Sequence, residues 1–171
     1  MNATIRAEAP QDIEAIHRVN VAAFGQEEEA RLVDALRGAG ALTLSLVAIA
    51  DGAVVGHIAF SPVTVTRADG SSREGIGLAP MAVRPDAQRR GVGARMITEG
   101  LARLRAAGHR FCVVLGHPEY YPGFGFAPAS RYGLRWEHPC PDAAFMALAL
   151  TPDGLDGVEG VVRYHAAFEG V

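Results

Sequence analysis

The sequence predicts an α/β fold of the α+β kind: a central mixed sheet, mostly antiparallel, with one parallel strand pair and flanking helices. Three observations predict it. A strand–helix–strand run over residues 77–83, 92–107 and 111–115 has the size of a right-handed crossover between parallel strands. Asp51-Gly52 sits between the apolar runs 42–50 and 53–65, the signature of a two-residue antiparallel hairpin. The polar stretch 66–74, with Asp69-Gly70, then returns the next strand antiparallel.

In chain order, residues 3–7 form a short strand. Pro10 suits a first helical turn, Asp12 and Glu14 favour its positive end, and Ile13, Ile16, Val19 and Ala23 make a helical stripe that Gly25 ends. A second helix over 26–37 buries Leu32, Val33 and Leu36 and stops at Gly38, with Glu27, Glu28 and Glu29 solvated in its first turn. Along the strand 53–65, Val55, His57, Ala59 and Ser61 share one face, and Val54, Gly56, Ile58 and Phe60 the other. His57 reads either as a hydrogen-bonded sheet histidine or as a site group or base near neutral pH. Pro80 interrupts the strand 77–83 and cannot donate to a ladder. It implies a bulge that re-aims its neighbours, or else a strand that begins later. The helix 92–107 gathers Val92, Met96, Ile97, Leu101 and Leu104 on one face, pairs Glu99 with Arg103 on the other, and stops at Gly108. The last forty residues read as strands 134–137, 145–150 and 160–164 between Pro/Asp/Gly turns. Trp136, His138 and His165 either line a pocket there or simply pack.

Composition narrows the function classes. A chain of 171 residues is expected to be one domain, residues 1–171, with a substantial core. A net charge of −3 and a pI of about 6.1 give no basic field for nucleic acid. No apolar run is long enough for a membrane span and the N-terminus is unlike a signal peptide, so a cytoplasmic protein is expected. Cys112 and Cys140 make no disulfide framework, and no His/Cys/Asp/Glu set has zinc spacing, which predicts no metal.

The join before the third helix carries the chemistry. A helix start leaves N–H groups without partners, and a short polar side chain normally caps some of them. Here the chain reads Gln88-Arg89-Arg90-Gly91-Val92-Gly93, with no such cap. Two glycines permit close backbone approach, and two arginines add to the positive helix end, which makes a socket for a phosphate or pyrophosphate. A lone G-x-G also fits a glycine turn with solvated arginines. The third glycine of a dinucleotide fingerprint is replaced by Met96, and the P-loop Gly-Lys-Ser/Thr is absent.

Gln88-x-x-Gly91-x-Gly93, preceded by Met81-Ala82-Val83 and followed by this helix, resembles motif A of the GNAT superfamily of N-acetyltransferases. The resemblance implies a GNAT-like sheet whose parallel pair is splayed, and a segment, Gln88 to Ala94, that binds the pyrophosphate of acetyl-CoA. It implies cofactor contacts at Met81, Ala82, Val83, Gln88, Arg89, Arg90, Gly91, Val92, Gly93 and Ala94, with Met81 N–H on the acetyl carbonyl and Val83 along the pantetheine arm. Further on, Tyr121-x-x-x-Gly125-Phe126 resembles motif B, which would set Tyr121 against the CoA sulfur as general acid; Tyr120 does not fit the spacing. The Tyr-Tyr pair after Pro118 is similar to the YhbS-like branch of the family. The asparagine that many relatives carry after the preceding strand is missing, and Pro118 and Pro122 shorten the helix.

The activity so implied is direct transfer from acetyl-CoA to a primary amine in a ternary complex, with no nucleic-acid or membrane partner and with a homodimer allowed. The base stays open among Glu74, His57, Glu119 and a water chain. A non-catalytic acyl-CoA-binding sensor on the same fold is the alternative, and the acceptor is not readable.

Overall fold

The Asp51-Gly52 turn forms as its residues require. Both lie in the left-handed region, at φ 50° and 76°, where the twist of a two-residue turn matches that of its strands. It joins β2 (Leu44–Ala50) to β3 (Ala53–Thr66) in antiparallel register, Ala50 opposite Ala53. β1 (Thr4–Ala7) pairs antiparallel with β2, and the expected strand 42–50 starts two residues later. The computed structural model describes residues 1–171 and falls into two units. One comprises Met1–Ser61, Ala79–Ala102 and Ala166–Val171, the other Pro62–Leu78 and Arg103–His165.

In the first unit both faces of the sheet are covered, because alternate residues of β2 and β3 meet different helices. Val47 packs with Ile16 of α1 (Ile13–Phe24) and Val33 of α2 (Glu28–Gly38). Gly56 and Phe60 meet α3 (Val92–Ala106) instead. A β-carbon on Gly56 would stand 3.0 Å from the Met96 methyl, and one on Gly100 would stand 2.6 Å from the Phe60 ring. The apolar face expected of α3 is the buried one: Val92, Met96, Ile97, Leu101 and Leu104. Gly108 ends the helix at φ 87°, with His109 N–H on Leu104 C=O and Gly108 N–H on Arg105 C=O (both 3.1 Å), a left-handed cap.

In the second unit β4 (Ser72–Val83) pairs parallel with β5 (Phe111–Leu115), through Ile76–Cys112 and Gly77–Val113 only. β5 pairs antiparallel with β8 (Phe145–Ala149), and β8 with β6 (Ala127–Pro128). The last four residues of β3 pair with β9 (Gly160–Tyr164), which lies parallel to β7 (Leu134–Trp136). The hydrogen-bonded order is β1-β2-β3-β4-β5-β8-β6, with β9 on β3 and β7 on β9. The sheet is therefore mixed and mostly antiparallel, as expected, but it holds a second parallel pair that the sequence did not announce. The core of this unit gathers Val63, Val65, Phe111, Val113, Leu134, Phe145 and Val162.

One boundary is corrected. The strand expected at 77–83 begins at Ser72, and the loop shrinks to a turn closed by Arg67 N–H on Ser71 C=O (2.8 Å), with the Asp69 carboxylate taking Ser71 N–H (2.9 Å). Ser72, Arg73 and Glu74 are exposed and polar, so hydropathy was silent about a backbone that continues as strand. Pro80 lies inside β4, buried, after a cis Ala79–Pro80 bond. No helix is long and apolar enough to cross a membrane.

Candidate active site

The turn from β4 into α3 lies in the first unit. β4 exits with Arg84 N–H held by Val55 C=O (2.8 Å), and Val55 is the residue that the β2–β3 bulge leaves without an opposite number. A 3-10 turn, Pro85–Ala87, follows, and the Gln88 side-chain amide reaches back to Val83 C=O (2.9 Å). Gln88 thus braces the turn through its side chain. Arg89 (φ 62°) and Gly91 (φ 80°) are both left-handed. Such alternation turns successive N–H groups toward one concave side, an anion-binding arrangement. Space beside Gly91 is open, with nothing within 4 Å of where a β-carbon would stand.

The helix ladder begins with Arg95 N–H on Gly91 C=O (3.1 Å), so the N–H groups of Val92, Gly93 and Ala94 stand ahead of it. Arg89 and Arg90 are exposed beside them. Val92 is buried in the core, so it has only its backbone to offer a ligand. Ala82 is buried, while Met81 and Val83 are half-buried at the end of β4. The predicted residues from Met81 to Ala94 run from the end of β4 through the 3-10 turn into the first turn of α3.

The second unit carries the aromatic residues that the sequence singled out. After β5 the chain makes one 3-10 turn, Tyr121–Phe124, in place of a longer helix, with Pro122 inside it. Tyr121 is 7 % exposed, edge-on to Tyr120 (5.2 Å between centroids) and Phe126 (5.7 Å) and tilted to Phe124 (6.4 Å). Burial first, then the neighbouring Tyr120 and Cys112, push its phenol up to about 12, so it is a protonated group at any ordinary pH. Tyr120 is exposed.

The other candidates differ in their surroundings. His57 is fully buried, and both ring nitrogens are engaged: Asn20 Nδ2 donates to Nδ1 (3.3 Å), which leaves Nε2–H to donate to Ser45 Oγ (2.8 Å). Ser45 donates in turn to Glu8, which takes Nε and Nη2 of Arg37 at 2.9 and 3.0 Å. Burial, outweighing the attraction of Glu8, holds His57 down at about 4. It is a neutral structural group. Glu74 and Glu119 are exposed, His138 rests edge-on to Trp136, and no cluster of three or more His, Cys, Asp or Glu side chains is arranged to hold a metal ion. The sequence reading missed the Val55 bulge and the close contact of Gly116 with Tyr121; the Ala48/Ile49 register shift has no signal in local composition.

A strand-to-helix turn that presents bare N–H groups in a crossover sheet is suited to a phosphate-bearing ligand. Residues 4–129 match the family model for the acetyltransferase (GNAT) domain, and the chain belongs to that family. It is 40% identical over 165 residues to the uncharacterized N-acetyltransferase YhbS of Escherichia coli (strain K12), covering 96% of this chain and 97% of that protein. The crystal structure of E. coli YhbS in complex with CoA superposes with a TM-score of 0.91, at 40% identity, over 98% of this chain and 92% of that one. A GNAT acetyltransferase from Brucella melitensis, solved in complex with acetyl-CoA, gives a TM-score of 0.82 at 44% identity, over 98% of this chain and 99% of that one.

Proposed function

We propose that this acyltransferase works as a single domain over residues 1–171, takes acetyl-CoA as donor and passes the acetyl group directly to a primary amine. The observation that carries this reading is the bare N-terminus of α3, where left-handed Arg89 and Gly91 precede a helix whose first N–H groups have no cap. The N–H groups of Gly91 to Ala94 would hold the pyrophosphate and the side chains of Arg89 and Arg90 would neutralise it, while β4 from Met81 to Val83 would receive the pantetheine arm. The two relatives solved with CoA and acetyl-CoA support the donor.

In the reaction the amine nitrogen attacks the thioester carbonyl carbon and forms the C–N bond. The carbonyl oxygen takes the negative charge, and Met81 N–H donates to it. The adduct collapses, the C–S bond breaks, and the Tyr121 proton moves to the departing sulfur. The ammonium proton leaves through solvent and restores the phenol, so amine and acetyl-CoA become amide and CoA thiol. A phenol near 12 is a weak acid beside a thiol of about 8.5 in water.

The test is thermal. Acetyl-CoA raises the melting temperature by mass action, an acetyl thioester of pantetheine without the nucleotide does not, and Gly91→Val abolishes the shift. Equal stabilisation by both thioesters would remove the pyrophosphate assignment. Turnover is then sought as free thiol released from acetyl-CoA with a pool of primary amines.

A further inference from the structure

Strand β5 ends at Leu115, and the next residue, Gly116, is tied down by its N–H on Ala144 C=O (2.9 Å). Tyr121 N–H reaches back to His117 C=O (3.3 Å), which folds the chain so that the Tyr121 ring comes over Gly116. A β-carbon at Gly116 would overlap ring atom Cε2 and stand 2.8 Å from Cδ2 and 3.4 Å from Cζ. Gly116 is not among the glycines with positive φ, so its backbone does not call for glycine; only the ring does. The nearby Gly123 has nothing within 4 Å of the same point. Tyr120 and Phe126 stand edge-on to the ring, at 78° and 80°, and restrict how it can yield. Packed interiors register a single added carbon, because filling an occupied space forces side chains off their minima.

We infer that Gly116 is a positioning residue: its missing side chain is the seat that fixes where the Tyr121 hydroxyl stands. This rests on the proposed role of Tyr121 as proton donor to the thiolate. A ring lifted by the width of a methyl group moves the hydroxyl by a distance on the scale that costs about 10²-fold in a positioned reaction. Acetyl-CoA binding through the α3 turn lies outside the contact, so KM for acetyl-CoA stays nearly unchanged while kcat falls.

Two cycles test this. In the first, melting temperatures are measured without ligand for the parent, Gly116→Ala, Tyr121→Leu and the double variant. Gly116→Ala lowers the parent's melting temperature by about 2–10 °C, and most of that loss disappears once Tyr121→Leu has removed the ring. A loss of the same size in the Tyr121→Leu background overturns the seating. In the second, thiol release from acetyl-CoA with the pooled primary amines is compared for Gly116→Ala, Tyr121→Phe and their combination. The combination is no slower than Tyr121→Phe alone if Gly116 acts through the hydroxyl. Multiplying losses, or an unchanged kcat in Gly116→Ala, overturn the inference. Near-normal turnover in Tyr121→Phe by itself marks the failure of the proton-donor reading, and the thermal cycle, which needs no turnover, still decides whether Gly116 seats the ring.

Discussion

His57 and Tyr121 are the two buried titratable side chains toward which the sequence pointed for proton chemistry, and the structure holds them in opposite ways. His57 has a partner on each ring nitrogen, and those partners continue through Ser45 and Glu8 to Arg37. Tyr121 is held by its ring, through Tyr120, Phe124, Phe126 and Gly116. Both are shifted by burial, and in each case toward the neutral form: His57 down to about 4, Tyr121 up to about 12. A neutral imidazole whose donor and acceptor are both used has nothing left to give a substrate. A neutral phenol retained by apolar contacts keeps its proton for one. A perturbed pKa alone does not separate the two cases; the hydrogen-bond partners do.

The contrast is most exposed to Tyr121→Phe, which deletes the hydroxyl and keeps the ring. General acid assistance is typically worth about 10²–10⁴-fold, so kcat falls within that span while the melting temperature and acetyl-CoA affinity hardly move. Tyr120→Phe is far milder. The pH–rate profile of the parent shows no alkaline limb from Tyr121 below about pH 10, since the phenol ionises only near 12. Near-normal kcat in Tyr121→Phe, with chemistry limiting, would take Tyr121 out of the mechanism.

His57→Ala produces the reverse pattern. It strands Ser45 and Asn20 in a closed interior and leaves a void, at a cost of about 2–4 kcal/mol in stability, while turnover per folded molecule stays close to the parent's. Urea melts read beside initial rates check it, and a large loss of kcat in folded His57→Ala would return His57 to the list of catalytic groups. The same residue governs acid sensitivity. Its folded pKa lies below its unfolded value, so between pH 6.5 and about 4 the unfolded chain binds the extra proton, and stability falls as the pH drops through that window. The loss amounts to about 3 kcal/mol at 1.36 kcal/mol per unit, and His57→Gln removes the slope. Glu8 adds a separate, lower step. Burial would raise its carboxyl, but Arg37 and Ser45 more than offset that and hold it below 4.5, so its share of stability is lost only as pH falls through that depressed value.

The smallest effect is expected at the thiols. Cys112 is fully buried and burial pushes its thiol well above the ordinary range, while Cys140 is raised by burial and by Asp142. Neither is poised as a nucleophile, so Cys112→Ala with Cys140→Ala leaves turnover within about twofold. A trapped acetyl-cysteine by mass spectrometry, together with lost turnover in the folded double variant, would replace direct transfer with a two-step route.

Much of the site was legible because its signals are local. The glycines and arginines of residues 88–93 fall within one turn, and the periodicity of α3 already points its apolar face inward. The spacing of Tyr121 to Gly125-Phe126 likewise covers one 3-10 turn, its Gly125 cap and the residue after it. The amide of Gln88 could not be placed from sequence, because its partner, Val83 C=O, is a backbone group that every sequence offers equally. Polar residues at the start of β4 were equally silent, since an exposed strand is held by its ladder and not by its hydropathy.

The amino-acid sequence by itself determined the Asp51-Gly52 hairpin, the β4–α3–β5 crossover and the uncapped start of α3, because backbone stereochemistry and side-chain period act between residues a few positions apart. Tertiary structure alone decided that β7 lies parallel to β9, that the Val55 carbonyl anchors Arg84, and that Asn20 and Ser45 converge on His57 with Glu8 behind Ser45. Those pairings join residues far apart in the chain, where no period or turn rule reaches. Gly116 lies between the two regimes. It stands only five positions from Tyr121, yet what makes it necessary is the volume of a ring folded back upon it, and volume is settled only when the surrounding aromatics close.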